Sequence, residues 1–124
     1  LTVGELAKKH ERPAVDLHTP VKLVISEISK KRLGATAVLE NNKIVGIITD
    51  GDVRRMLEKH DNIGDLTAID IMSSKPIVVD PELLAYDVMA TLKTKGIGQL
   101  IVQDLSGTYI GMIHILDLIK EGIE

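Results

Sequence analysis

Apolar residues along the chain follow two different spacings. From 21 to 31 they return at steps of three and four, as Val21, Val24, Ile25 and Ile28, and from 83 to 94 as Leu84, Val88 and Leu92. Each stretch predicts a helix with one buried face. Short unbroken apolar runs follow. Ala37-Val38-Leu39 and Ile44-Val45-Gly46-Ile47-Ile48 flank a four-residue loop containing Asn41 and Asn42, and Leu100-Ile101-Val102 and Tyr109-Ile110-Gly111-Met112-Ile113 flank a longer one. These predict two antiparallel hairpins, and their unbroken apolar character puts the strands under cover on both faces.

Polar residues punctuate this pattern where helices should start. Thr2 and Thr67 each have an acidic residue three positions later, Glu5 and Asp70, which predicts a short lead-in helix opened by a capping box. Thr19 and Asp80 are expected as N-caps of the longer helices, with Pro20 and Pro81 in the first helical position, where a missing N–H costs nothing. Residues 58–66, polar and containing Gly64, read as a link.

The pattern occurs twice. Thr2-Val3-Gly4-Glu5-Leu6 is answered by Thr67-Ala68-Ile69-Asp70-Ile71, and Gly46 to Asp52 by Gly111 to Asp117, both at an offset of 65. The second hairpin has the longer turn, a change that surface loops tolerate. Each copy reads as lead-in helix, strand, helix, hairpin and closing helix, with the first copy expected over residues 1–62 and the second over 63–124. Repeated units of this kind bury their faces against each other.

At 124 residues the chain supplies one well-covered core. With no Phe or Trp, that core is built from Ile, Leu, Val, Met and Ala. The net charge of -3 excludes the basic surface expected of a nucleic-acid binder. Lack of cysteine excludes disulfides and thiolate chemistry and favours a reducing compartment, so the cytoplasm is expected. No apolar run is long enough to span a bilayer. The beginning, Leu1-Thr2-Val3, has neither a signal core nor an initiator Met and is expected of a piece taken from a longer protein.

Candidate chemistry lies where each hairpin runs into its closing helix. A helix N-terminus offers backbone N–H groups and positive dipole to a phosphate, and a carboxylate can accept both hydroxyl hydrogens of a ribose. Thr49 and His114 are placed to hold phosphate, Asp52 and Asp117 to take the sugar. The same residues have a purely structural reading: the acids favour the helix dipole and Thr49 is a cap. Arg54 and Arg55 offer planar forks for anions, or else a solvated helix face. His10, His18 and His60 have no partner at metal-ligand spacing, so no metal site is expected. No nucleophile, base and acid stand together as a catalytic centre would need.

The two-copy pattern, Gly46 to Asp52 and Gly111 to Asp117, resembles a CBS domain pair over essentially the whole chain. That resemblance implies an α+β fold of tandem CBS motifs, two pseudo-twofold-related β-α-β-β-α units forming one compact module. It also implies that the Thr or Ser and the Asp of the motif contact the phosphate and ribose of adenosyl ligands in clefts between the copies. The second copy departs from the pattern at His114. Thr49-Asp50-Gly51-Asp52-Val53-Arg54-Arg55, with Ile113-His114-Ile115-Leu116-Asp117-Leu118-Ile119 and Gly122-Ile123, is further similar to the C-terminal regulatory half of arabinose 5-phosphate isomerases of the sugar-isomerase (SIS) type.

This closer resemblance implies a sensor of the Kdo and lipopolysaccharide pathway, without catalysis of its own. CMP-Kdo is the leading effector, its ribose going to an Asp and its phosphate and carboxylate to Arg54, Arg55, Thr49 or His114. AMP or ATP is the alternative, in another enzyme or transporter. The implied partners are an attached SIS isomerase domain and a second copy in a homodimer, with no nucleic acid and no membrane. An oligomerisation module that binds no ligand is the rival of a different class.

Overall fold

The computed structural model describes all 124 residues. Twelve elements follow one another as α1 (Val3–Ala7), β1 (Ala14–Asp16), α2 (Val21–Lys31), β2 (Ala35–Glu40), β3 (Lys43–Thr49), α3 (Asp50–Lys59), α4 (Ala68–Ile71), β4 (Val78–Val79), α5 (Ala85–Lys95), β5 (Gln99–Gln103), β6 (Tyr109–His114) and α6 (Ile115–Lys120). The element order repeats, as the hydrophobic pattern predicts. Each half builds a mixed three-stranded sheet: β1-β2-β3 and β4-β5-β6, the first pair parallel and the second antiparallel. The fold is α+β.

The parallel pairs follow from the crossover helices, because joining parallel strands requires a long connection that α2 and α5 supply. Val24 and Ile28 of α2 are buried, as are Val88 and Leu92 of α5. Each such side chain contributes roughly 1.5–3 kcal/mol when fully withdrawn from water. The first hairpin is tighter than the sequence suggests. Glu40 pairs with Lys43, leaving a two-residue turn of Asn41 and Asn42 at φ 51° and 66°. Two residues at positive φ make the turn whose twist matches the strands, and Asn tolerates it. In the longer second turn the Asp104 carboxylate accepts from the Ser106 hydroxyl at 2.7 Å and the Thr108 and Ser106 amides at 2.9 and 3.0 Å. These bonds, led by the Ser106 hydroxyl, hold the carboxyl below its ordinary range.

Two compact units form, and they do not follow the repeat. One comprises residues 13–76, the other residues 1–12 with 77–124. The boundary expected at 62/63 thus falls inside the first of these, and each lead-in helix belongs to the other copy's sheet. In the 13–76 unit, Ala68, Ile71 and Met72 pack with Val24, Ile28, Val38 and Ile48. In the other, Val3, Leu6 and Ala7 pack with Val88, Leu92, Val102 and Ile113.

Glycine permits this exchange. A Cβ on Gly46 would lie 2.6 Å from Met72 Sδ and 2.7 Å from Ser73 O, and one on Gly111 would lie 3.0 Å from Ala7 Cβ. Only a residue without a side chain lets the lead-in segment sit so close to the strand.

The same exchange corrects the expected helix starts. Pro20 and Leu84 occupy the N-cap positions of α2 and α5, one and four residues after Thr19 and Asp80, and neither helix has a side-chain cap. The first helical amides are taken by the lead-in segments: Val21 N–H donates to Leu66 O at 3.0 Å and Ala85 N–H to Leu1 O at 2.9 Å. Thr19 Oγ1 instead accepts from Asp16 N–H, and Asp80 Oδ1 from Glu82 N–H. A backbone acceptor has replaced the cap, satisfying the same unpaired donor.

Candidate nucleotide-binding corner

The first corner is the passage from β3 into α3. Thr49 is the N-cap, its backbone extended at φ -103°, and Asp52 is the third helical residue. Thr49 N–H donates to Asp52 Oδ2 at 2.9 Å, Thr49 Oγ1 donates to the same oxygen at 3.1 Å, and Asp52 N–H donates back to Thr49 Oγ1 at 3.2 Å. This is a capping box, and the Thr2/Glu5 pair at α1 has the same geometry. The structural reading of Thr49 and Asp52 therefore describes their contacts in the ligand-free chain.

Two features distinguish this corner from an ordinary cap. The capping bonds that the carboxylate accepts both go to Oδ2 of Asp52, while Oδ1 is held only by Arg55 Nη2 at 2.6 Å. Arg55 is 57% exposed and lies three residues along the same helix, so the pair is a surface one, worth about 0–1 kcal/mol and exchangeable. The second helical position is Gly51, and a side chain there would crowd the Arg55 guanidinium at 3.2 Å and Thr49 Oγ1 at 3.5 Å. Asp50 N–H donates to Gly34 O at 3.0 Å and Asp52 N–H to Thr49 Oγ1, so the Gly51 N–H is the helix-start amide left for an anion. Arg54 is exposed, one residue from Arg55.

The second corner, from β6 into α6, is built differently. His114 caps through Nδ1, which accepts from Leu116 N–H at 3.0 Å and so carries no proton there. His114 N–H donates to Asp117 Oδ2 at 2.9 Å, as Thr49 N–H does to Asp52. Asp117 Oδ1, however, meets His10 Nε2 at 3.0 Å. Sequence reasoning left His10 aside, because its partner stands 107 positions away and meets it only through the exchanged lead-in segment. Leu116, 54% exposed, occupies the place that Gly51 has in the first corner. The structure thus keeps Thr49, Asp52 and Arg55 together, Arg54 beside them, and sets His114 and Asp117 in a corner of their own.

No group of His, Cys, Asp or Glu side chains is arranged to hold a metal ion. Two open recesses, of about 370 and 320 Å³, are lined by residues such as Thr2, Glu5 and Asp104, or Asp16, Leu39 and Asn42, and by none of the six candidates. Tyr109 is buried beneath the Arg12 guanidinium, 5.7 Å from its ring, while Tyr86 is exposed.

The CBS domain model matches residues 3–59 and again 68–124. The chain belongs to the CBS domain family. This CBS pair is 33% identical over 114 residues to arabinose 5-phosphate isomerase KdsD of Salmonella typhi, covering 91% of the chain and 34% of that relative. It spans about a third of the length of the curated relatives it matches. Among solved structures it superposes on the CBS domain protein NE2398 with a TM-score of 0.88 at 28% identity, over 100% of this chain and 98% of that one. It also superposes on CBS domain protein PAE2072 from Pyrobaculum aerophilum, solved in complex with AMP, with a TM-score of 0.83 at 20% identity, over 94% and 89%. No helix is long and apolar enough to cross a membrane.

Proposed function

We propose that this CBS pair is a regulatory module that binds a nucleotide at the Thr49–Asp52 corner and passes its occupancy to an attached sugar-phosphate isomerase domain. The observation that carries the reading is the division of labour on Asp52, with one oxygen building the helix cap and the other held only by an exposed, exchangeable arginine. A ribose diol takes Oδ1 in place of Arg55. The freed guanidinium, Thr49 and the Gly51 amide then face the phosphate, and Arg54 adds a second cation. Burial and pairing of this kind make charge-assisted hydrogen bonds worth roughly 1.5–3 kcal/mol.

The nucleotide class is supported by the AMP complex of a protein with the same fold. The isomerase partner, and with it CMP-Kdo as the effector, is supported by the kinship with KdsD. Isothermal calorimetry with AMP, ATP and CMP-Kdo tests both. Binding of one or more is expected, weakened about tenfold or more in Asp52→Asn, as loss of a charged hydrogen-bond acceptor implies. Asp70→Asn alters the same kind of capping box, at α4, and should leave affinity unchanged. Silence with all three ligands, or equal affinities for the parent chain and Asp52→Asn, overturns the reading and leaves an oligomerisation module.

A further inference from the structure

We infer that the two corners have different jobs: the first takes the nucleotide, while the second is a joint that fastens the segment after α1 to β6 and α6, so that the chain binds a single nucleotide. The inference rests on the nucleotide reading of the first corner and adds its stoichiometry and a role for His10.

Three observations carry it. Asp52 Oδ1 is held by Arg55 from its own helix, and a guanidinium on one flexible side chain swings away at little cost. Asp117 Oδ1 is held by His10, whose side chain is 34% exposed against 57% for Arg55, and whose partner carboxylate is only 11% exposed. Freeing this oxygen means turning the His10 ring out of a contact that is better buried than the Arg55 one.

Arg12 anchors the chain two residues after His10, and Lys9 adds only an exposed surface ion pair before it. Lys9 Nζ meets Glu121 Oε1 at 3.1 Å, and Arg12 Nη1 donates to Tyr109 O while its guanidinium lies over the Tyr109 ring. Three side chains of one connection, at 9, 10 and 12, thus reach Glu121 just after α6, Asp117 in α6 and Tyr109 in β6. A ligand competing for Asp117 must break the His10 contact while the Arg12 anchor on Tyr109 keeps the imidazole nearby. Restraint from the flanking contacts raises the effective concentration of the imidazole at the carboxylate.

The third observation is the residue at the second helical position. Gly51 leaves the start of α3 to the movable Arg55 guanidinium, whereas Leu116 puts a large apolar side chain at the start of α6. The His114 ring adds to this, since its Nδ1 is committed to Leu116 N–H. Where the first corner has a hydroxyl that both donates and accepts, the second has a ring nitrogen that only accepts.

The test combines calorimetry with hydrogen exchange on the whole chain. The unmodified chain should bind a single AMP. His10→Gln should keep that stoichiometry and affinity but speed amide exchange across residues 9–12 and 115–118 by about tenfold, because a local fastening has been lost. Two AMP per chain, a several-fold loss of AMP affinity in His10→Gln, or unaltered exchange in that variant would each overturn the joint. Failure of the nucleotide reading shows separately, as absence of AMP, ATP and CMP-Kdo binding to the unmodified chain, and exchange then decides the fastening alone. The ring resonance of His10 gives a check that needs no ligand: it should move in Asp117→Asn while that of His18 stays, and an unmoved His10 signal removes the pairing.

Discussion

Arg32 closes α2 with φ at 63°, the same left-handed angle at which Gly96 closes α5. An L residue there costs about 1 kcal/mol from the clash of Cβ with the following carbonyl, whereas glycine adopts it freely. Arg32 is exposed, so its replacement disturbs no packing. Arg32→Gly is expected to raise unfolding stability by about 0.5–1 kcal/mol, and Gly96→Ala to lower it by a similar amount. Denaturant midpoints at constant slope measure both, and a lower midpoint for Arg32→Gly would refute the strain. Single residues were legible in the sequence when their partners were local. Thr2/Glu5 and Thr67/Asp70 cap as their spacing predicts. Thr19 and Asp80 do not cap because a distant segment supplies the acceptor for the first helical amide, and the pairing of His10 with Asp117 was not legible for the same reason of distance.

At the scale of elements, the glycine in each corner motif serves packing as well as any ligand. Gly111 lies where Ala7 of α1 crosses β6, with Ala7 Cβ and Ala7 O at 3.0 and 3.1 Å from the Cβ it lacks. Neither neighbour is the far end of a flexible chain, so a side chain must push α1 away. Gly111→Ala is expected to cost about 1–3 kcal/mol through overpacking and to speed amide exchange at Leu6 and Ala7. Gly98→Ala serves as the control, since a Cβ there meets nothing within 4 Å. Equal effects of the two substitutions would show that α1 is not held through Gly111. Helix and strand types were readable because burial imposes its period on the side chains, as at Val24 and Ile28. The corner residues were readable as a group for the same local reason. The division of Asp52 between cap and arginine, and the difference between Gly51 and Leu116, emerge only when each oxygen is assigned a partner.

At the scale of the whole chain, the repeat at an offset of 65 reveals two copies but not which lead-in helix covers which sheet. Both lead-in segments carry the same capping and apolar pattern, so the sequence is degenerate between keeping and exchanging them. Cutting the chain separates the alternatives. A fragment of residues 1–62 contains β1, α2, β2, β3 and α3 but lacks Ala68, Ile71 and Met72, the Ser73 backbone that pairs with Ile47, and Leu66 O, the acceptor for Val21 N–H. It carries instead Val3, Leu6 and Ala7, whose core partners lie beyond residue 77. A fragment of residues 13–76 has nearly the same length and holds its entire sheet, both helices against it and the exchanged lead-in. Domains of about 60 residues bury only some 60% of their unfolded surface and are marginal, so a missing helix decides between folding and failure. The 13–76 fragment should therefore unfold cooperatively on heating, followed by circular dichroism, while the 1–62 fragment melts broadly or not at all. A cooperative transition confined to residues 1–62 would mean that each copy can cover its own sheet, and that the exchange adds no stability.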